Sequence, residues 1–257
     1  MELGLKGKAA LITGGSRGIG YGVARHLAAE GCRLHIAART AADLEAARTR
    51  LTADYNADVT VHPLDLADSA SANRLADACG PLDILVNNAG AIPHGGLDDL
   101  GEENWRDAWN LKVFGFINLT RAVYRDMRSR RSGVIINVIG IAGERPTASY
   151  IAGSMGNASL MAMSRALGAE SPQYGVRVIA VNPGSIETDR QVVRWKARAK
   201  AKLGDENRWR ELITHLPFSR LGSVDELAAV VVFLASERAS YVSGTVVTVD
   251  GGAASRV

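Results

Sequence analysis

Residues 9–20 read AALITGGSRGIG, an apolar run followed at once by a glycine-rich stretch. The run Ala9–Thr13 predicts a buried strand, and the apolar stripe of Ile19, Val23 and Leu27 predicts a helix soon after it. Glycines between a strand and a helix let the backbone turn tightly and approach a phosphate, which then faces the helix N-terminus. The stretch therefore predicts a dinucleotide-binding loop at the start of an α/β fold.

Further apolar runs follow along the chain. The other predicted strands are Leu34–Ala38, Val59–His62, Ile84–Val86, Val134–Val138, Val176–Val181 and Val246–Val249. Stretches of helical period separate most of them, an order typical of βαβ units in a parallel sheet that is covered on both faces. We therefore predict one α/β domain over residues 1–257, a Rossmann fold whose doubly wound, seven-stranded parallel sheet is flanked by helices.

The composition is that of an ordinary globular protein, with 47% hydrophobic and 22% charged residues. No apolar run reaches the length of a membrane span, and the first residues do not resemble a signal peptide, so we expect a cytoplasmic protein without a membrane partner. Cys32 and Cys79 form no disulfide or metal-binding pattern in the sequence, and we interpret both as packing residues.

Charge and histidine spacing exclude two further classes of function. The net charge is +3, but the short basic clusters at 125–131 and 196–202 fit solvated helix faces and a helix end, so no nucleic-acid partner is predicted. The five histidines lack the spacing of metal ligands in the sequence, and no metal site is predicted either. The segment 187–220 is rich in Arg and Lys and has no strand-like run, which predicts a helical lid over the site.

Arginine replaces the expected carboxylate after the second strand. A site for NAD(H) usually has an acidic side chain there to bind the ribose 2′-hydroxyl, whereas this chain has Arg39. Together with Arg17 in the glycine-rich loop, Arg39 offers guanidinium donors that suit a 2′-phosphate. The pair predicts NADP(H) as the cofactor; two merely solvent-exposed arginines are the alternative interpretation.

Polar side chains also follow the third and fourth predicted strands. Asp65 can accept a hydrogen bond from an adenine amino group, or it can cap the next helix. Asn87-Asn88-Ala89-Gly90 places amides and small residues where strand ends meet the predicted crevice.

Several motifs together resemble the short-chain dehydrogenase/reductase family. They are the loop Thr13–Gly20, Asn87–Gly90, Asn110, Asn182-Pro183-Gly184 and Val249-Asp250-Gly251-Gly252. The resemblance covers nearly the whole chain and implies an NAD(P)-dependent oxidoreductase acting on carbonyl or alcohol groups of a small molecule. The segment 220–244 is similar to the family's carboxyl-terminal part, and this similarity implies assembly as a homotetramer or a homodimer.

The resemblance also implies individual contacts with the cofactor. Together with the arginines, the predicted cofactor-binding residues are Gly14, Ser16, Arg17, Gly18, Ile19, Gly20, Arg39, Asp65, Leu66, Asn87, Ala89, Gly90, Asn157, Pro183, Gly184, Ile186 and Thr188. In this set Asp65 matches the adenine contact, Pro183-Gly184 the nicotinamide wall, and Thr188 a position that bonds the carboxamide. Asn110, early in a helix predicted from about Glu103, matches the catalytic asparagine that holds a water in the proton relay.

The family's three principal catalytic positions are changed in this chain. Aligning the end of the fifth strand places Gly140 where the family has Ser, and carrying that register forward places Gly153 at Tyr and Asn157 at Lys. The motif Arg165-Ala166-Leu167 then falls where it is expected, which supports the register. Because Asn157 carries no charge, it can hydrogen-bond the nicotinamide ribose but cannot lower the pKa of a tyrosine as lysine does.

Tyr150 lies one helical turn before the vacant tyrosine position. Its hydroxyl reaches the same crevice if it shares the same helix face. We predict that Tyr150 donates the proton, with Ser149, Ser154 or a water orienting the substrate oxygen, and that Asn110 and Asn157 complete the catalytic set. A tyrosine that only packs at the start of the helix is the alternative.

Three functions remain open at this point. The first is an NADP(H)-dependent carbonyl/alcohol oxidoreductase with a modified proton relay. The second is an enoyl-thioester reductase, since that divergent branch has a Tyr-x6-Lys pattern and Tyr150 to Asn157 repeats the spacing with Asn in place of Lys. The third is a catalytically silent NADP-binding sensor or scaffold, which the loss of Ser and Lys favours.

Overall fold

A computed structural model describes residues 2–256. Its seven strands are β1 (Ala9–Thr13), β2 (Arg33–Ala38), β3 (Val59–Pro63), β4 (Ile84–Asn87), β5 (Gly133–Val138), β6 (Val176–Pro183) and β7 (Val246–Val249). All pairings are parallel, and the order across the sheet is β3-β2-β1-β4-β5-β6-β7. The predicted Rossmann fold with a seven-stranded parallel sheet is confirmed.

Eight α-helices connect and cover the strands within the described residues. They are α1 (Gly18–Ala29), α2 (Ala41–Tyr55), α3 (Ser69–Cys79), α4 (Glu102–Trp109), α5 (Gly115–Arg130), α6 (Ile151–Glu170), α7 (Asp189–Leu203) and α8 (Val224–Ala235). A π-helical turn, Asn110–Phe114, joins α4 to α5. Asn110 therefore lies at the end of α4, which corrects its expected position early in that helix.

The helices pack on the sheet in two layers. Leu27 of α1, Leu44 of α2 and Val231 of α8 are fully or almost fully buried in one apolar cluster with the central strands. Leu75 of α3 and Leu119 of α5 lie in the cluster on the opposite face, and α6 covers the same side beside them. Alternate residues of the parallel strands therefore enter two separate cores, which explains why the strands are apolar almost throughout.

None of the helices within residues 2–256 combines the length and the apolar character that crossing a membrane requires.

Thr13 joins the two central strands at their carboxyl ends. Its side chain is fully buried, and Oγ1 accepts hydrogen bonds from the backbone N–H groups of Asn88 (2.9 Å) and Ala89 (3.0 Å). The same hydroxyl donates to the carbonyl oxygen of Val86 at 3.5 Å. One buried hydroxyl thus fixes the chain leaving β4 against the end of β1.

We expect Thr13→Val to lower the free energy of unfolding by about 1–3 kcal/mol, because two buried N–H groups lose their acceptor without any loss of side-chain volume. Urea denaturation of the purified protein measures the change. Thr13→Ser retains the hydroxyl and is the matched control. Equal stability of Thr13→Val and the wild type would contradict this role.

Candidate active site

A cleft of about 430 Å³ lies at the carboxyl ends of the strands, beside the pair β1 and β4 at which the strand order reverses. Ligands of open α/β sheets bind at this kind of reversal. Twelve of the predicted cofactor-binding residues line the cleft: Gly14, Ser16, Arg17, Gly18, Ile19, Arg39, Leu66, Ala89, Gly90, Pro183, Gly184 and Thr188. Most of the cofactor-binding residues that the sequence predicted therefore lie on this surface.

The glycine-rich loop has a backbone that side chains would disturb. Gly14 and Gly18 adopt φ values of +66° and +57°, in the left-handed region that favours glycine. A Cβ on Gly20 would collide with the carbonyl oxygen of Gly14, so a side chain does not fit at this position of the loop. Gly20 itself lies outside the cleft. The loop brings backbone, rather than side chains, to the cleft wall.

The N-terminus of α1 is left open toward the cleft. Arg17 occupies the N-cap position but its side chain makes no capping hydrogen bond within the described part of the chain. By contrast, Asp68, Thr188 and Ser223 cap α3, α7 and α8 with their own side chains. The first N–H groups of α1 and the positive end of its dipole are therefore available to an anion.

The adenosine end of the cleft is basic. Arg17 and Arg39 both line it and both are exposed, so their guanidinium groups can turn toward a phosphate. Asp65 is exposed and lies outside the cleft, where its carboxylate accepts a hydrogen bond from the N–H of Ala67 at 3.0 Å. The helix that follows is capped by Asp68, which answers the alternative role considered for Asp65.

Lys112 is a cation at the inner end of the cleft that the sequence interpretation missed. It is 7% exposed, and its ammonium donates to the carbonyl oxygen of Val138 at 2.9 Å and lies 4.5 Å from the ring centroid of Phe116. Burial lowers its pKa to about 7. The one signal for this position in the sequence was that Lys112 shares a helix face with the apolar residues Val113 and Phe116.

Asn157 bridges helix α6 and the end of β5. It is 4% exposed, and its amide nitrogen donates to the carbonyl oxygen of Gly140 at 3.3 Å. A Cβ on Gly140 would lie 3.0 Å from the same nitrogen, so the missing side chain at 140 leaves room for the amide. Gly140 lines the cleft, whereas Asn157 lies behind it.

The ring of Tyr150 fills the space above Gly153. A Cβ built on Gly153 would fall on ring atoms Cε1 and Cζ of Tyr150. Tyr150 is the N-cap residue of α6, so its side chain folds forward along the first turn of the helix. The Tyr150 ring thus occupies the space that a side chain would take at position 153, which the sequence analysis matched to the family's tyrosine.

Aromatic and cationic groups surround the Tyr150 ring. The ring of His94 lies 4.4 Å away between centroids. Burial raises the pKa of the Tyr150 hydroxyl, while the guanidinium groups of Arg194 and Arg190 act in the opposite direction. Tyr150 is also tied to the loop before α4, since the N–H of Gly95 donates to the carbonyl oxygen of Ser149 at 2.9 Å.

The segment 187–220 is helical, as the sequence predicted. It consists of α7 and two 3-10 segments, Glu206–Ile213 and Pro217–Ser219. Trp195 and Trp209 are buried in a small apolar cluster with Ile213 and Leu221, so they pack inside this part of the chain. Asp189 and Arg190, at the start of α7, line the cleft.

Four other predicted site residues are not among those that line the cleft: Tyr150, whose ring packs over Gly153 and beside His94, and the three described next. Asn87 is buried and its amide nitrogen donates to Thr120 and Asn137, so it holds the sheet to α5 rather than facing a ligand. Ile186 is buried and pairs with Gly222 at the base of the lid. The side chain of Asn110 is exposed at the start of the π turn.

The comparisons with known proteins agree with this geometry. A family model described as enoyl-(acyl carrier protein) reductase matches residues 14–254. The chain is 33% identical over 254 residues to 2,3-dihydro-2,3-dihydroxybenzoate dehydrogenase of Bacillus subtilis, with 97% of each chain covered. It is 34% identical over 257 residues to 3-oxoacyl-acyl-carrier-protein reductase of Escherichia coli, covering 97% of this chain and 98% of that protein.

A solved structure is similar over the full length. It is L-sorbose reductase from Gluconobacter frateurii in complex with NADPH and L-sorbose, with a TM-score of 0.94, 32% identity and complete coverage of both chains.

The buried ammonium of Lys112 predicts a pH dependence of stability. Burial lowers its pKa from 10.5 to about 7, so between these values the unfolded chain binds more protons than the folded one. The free energy of unfolding should therefore rise with pH across that interval. Urea denaturation at a series of pH values should show this rise in the wild type and in the exposed-lysine control Lys202→Met, but not in Lys112→Met. A rise of the same size in Lys112→Met would contradict the assignment.

Proposed function

The chain belongs to the short-chain dehydrogenase/reductase family of oxidoreductases, and from this membership we propose that it exchanges hydride between NADP(H) and a carbonyl or alcohol substrate. The observation that carries the proposal is the ring of Tyr150 in the space of residue 153. The Tyr150 ring thereby takes the space of the position that the sequence matches to the family's tyrosine, although Tyr150 is not among the residues that line the cleft.

The dinucleotide fits what the cleft offers. The uncapped N-terminus of α1 and the close backbone approach at Gly14 and Gly18 suit a pyrophosphate, while Arg17 and Arg39 suit a 2′-phosphate. The NADPH in the complex of the sorbose reductase supports the choice of NADP(H). Pro183, Gly184 and Thr188 form the opposite wall and would hold the nicotinamide.

Bound NADP(H) would supply or accept the hydride at the substrate carbon. In reduction, Tyr150 donates its hydroxyl proton to the substrate oxygen as an alcohol forms; in oxidation, it takes that proton back. Because burial raises the pKa of Tyr150, the hydroxyl keeps its proton at neutral pH and is available as an acid.

Residues other than the family's lysine supply the positive charge beside the cleft. Arg190 and Arg194 of the lid lower the proton affinity of Tyr150 and partly offset its burial. Lys112 holds the inner end of the cleft and, with a pKa about 7, can carry a charge there when an anionic cofactor is near. Asn157 acts from behind the cleft, where its amide nitrogen donates to the carbonyl oxygen of Gly140 in the cleft wall.

Asn110 and the assembly belong to the same proposal. Asn110 lies at the π turn two residues before Lys112, where it would hold a water of the proton relay. A homotetramer or homodimer is the assembly expected of this family, and we expect this protein to work in the cytoplasm.

A second candidate is reduction of an enoyl thioester. The description of the matching family model and the spacing of Tyr150 and Asn157 both favour it. In that reaction the tyrosine would stabilise an enolate oxygen rather than protonate an alkoxide. NADPH oxidation with a ketone such as L-sorbose, with an enoyl thioester, or with neither separates the two reactions from a silent NADP-binding protein.

We expect Tyr150→Phe to lower kcat by about 100-fold or more, since general acid catalysis contributes at least that much, with little change in the Kd of NADPH. Steady-state NADPH oxidation and fluorescence titration measure the two quantities. Tyr124→Phe is the matched control, because the Tyr124 hydroxyl is buried without a hydrogen-bond partner among residues 2–256. Unaltered turnover in Tyr150→Phe would exclude the proposed acid.

We expect Arg39→Ala to raise the Kd of NADPH by about 10- to 100-fold, the loss of one charge-assisted hydrogen bond, and to leave the Kd of NADH unchanged. Arg48→Ala is the control, because Arg48 is exposed on α2 and pairs with Glu45. Tighter binding of NADH than NADPH by the wild type would contradict the cofactor assignment.

A further inference from the structure

Three potential metal ligands converge at the edge of the sheet, away from the cleft. His35 of β2 and His62 of the edge strand β3 lie on the same face, and Cys79 is the last residue of α3. One ligand atom from each, Nδ1 of His35, Nε2 of His62 and Sγ of Cys79, lies within 4.8 Å of the other two. The sequence showed no metal pattern because 27 and 17 residues separate these side chains.

The distances approach those of a tetrahedral site. Zinc bonds of about 2.0–2.1 Å to nitrogen and 2.3 Å to sulfur require separations of about 3.3 Å between nitrogens and 3.6 Å between nitrogen and sulfur. The two nitrogens of His35 and His62 are 3.0 Å apart, and the sulfur of Cys79 is 3.7 Å from Nε2 of His62. The ligand atoms of His35 and Cys79 lie within 4.8 Å of each other, so small rotations of the side chains would complete the arrangement.

The surroundings allow an ion to enter and to bind. All three residues are half-buried, and β3 is the edge strand, so the cluster is reached from solvent. Burial lowers the pKa of both imidazoles but raises the pKa of the Cys79 thiol to about 12, so an ion that binds here has to displace the thiol proton. Of the charged neighbours of His35, Asp58 favours a cation and Arg33 opposes it.

We propose that His35, His62 and Cys79 form a zinc-binding site, with a water as the fourth ligand. Two imidazoles and a thiolate are the donor set that Zn²⁺ prefers. Binding replaces the thiol proton of Cys79, so one proton is released for each ion bound and no electron is transferred. The site ties β2, β3 and α3 together four residues before Arg39.

The test is a titration of the chelator-treated, full-length protein with Co²⁺ as the probe. We expect one equivalent to produce a thiolate-to-cobalt charge-transfer band with visible bands typical of tetrahedral cobalt, and Zn²⁺ to displace it. Cys79→Ser should abolish the charge-transfer band, and His62→Ala should weaken binding at least about 100-fold, more than loss of an outer-sphere partner does. Cys32→Ala, at the other cysteine, should retain both.

A measurement on the unmodified chain keeps the test independent of how the variants fold. Zn²⁺ should slow alkylation of Cys79 by iodoacetamide, mapped by mass spectrometry, and should raise the melting temperature. A cobalt spectrum without a thiolate band, or Zn²⁺ affinities equal in the wild type and the Cys79 and His62 variants, would show an adventitious ion only and overturn the proposal.

Discussion

Because the chain adds β2 and β3 on one side of β1 and then returns to add β4 on the other, the connections after β1 and β4 diverge and leave a crevice between them. The buried hydroxyl of Thr13 fixes the two sides of this crevice relative to each other, because it holds the backbone after β4 against the end of β1. The glycine loop and the open end of α1 follow β1 directly and start from this junction.

At the start of α6, the Tyr150 ring occupies the space beside Gly153 although it is attached to the chain three residues earlier. A side chain at the N-cap position can fold along the first turn, and only a glycine three residues later leaves room for it. The same exchange occurs at Gly140, where the missing side chain admits the amide of Asn157. A Cβ at Gly153 would thus meet the Tyr150 ring, and a Cβ at Gly140 would meet the amide of Asn157.

The sequence predicted the parts of this structure that depend on local pattern. All seven strands lie where apolar runs placed them, and the glycine loop with Arg39 identified the cofactor end of the cleft. It could not place side chains whose neighbours are distant in the chain. In the sequence, Lys112 resembles any other lysine of a helix, and only the fold brings it to the Val138 carbonyl of β5. Asn87 likewise resembles a ligand contact, and only the fold shows that its amide is bound to Asn137.

The π turn Asn110–Phe114 has a consequence for how this active site can change over time. A π turn holds one residue more than an α turn, so the segment amounts to a single-residue insertion within an otherwise continuous helix. Losing one residue here would restore the α-helix and leave the turns on either side in place, so the change would be confined to the segment that carries Lys112. A change of chain length at this point would therefore alter the position of the Lys112 ammonium at the Val138 carbonyl while α5 stays packed on the sheet.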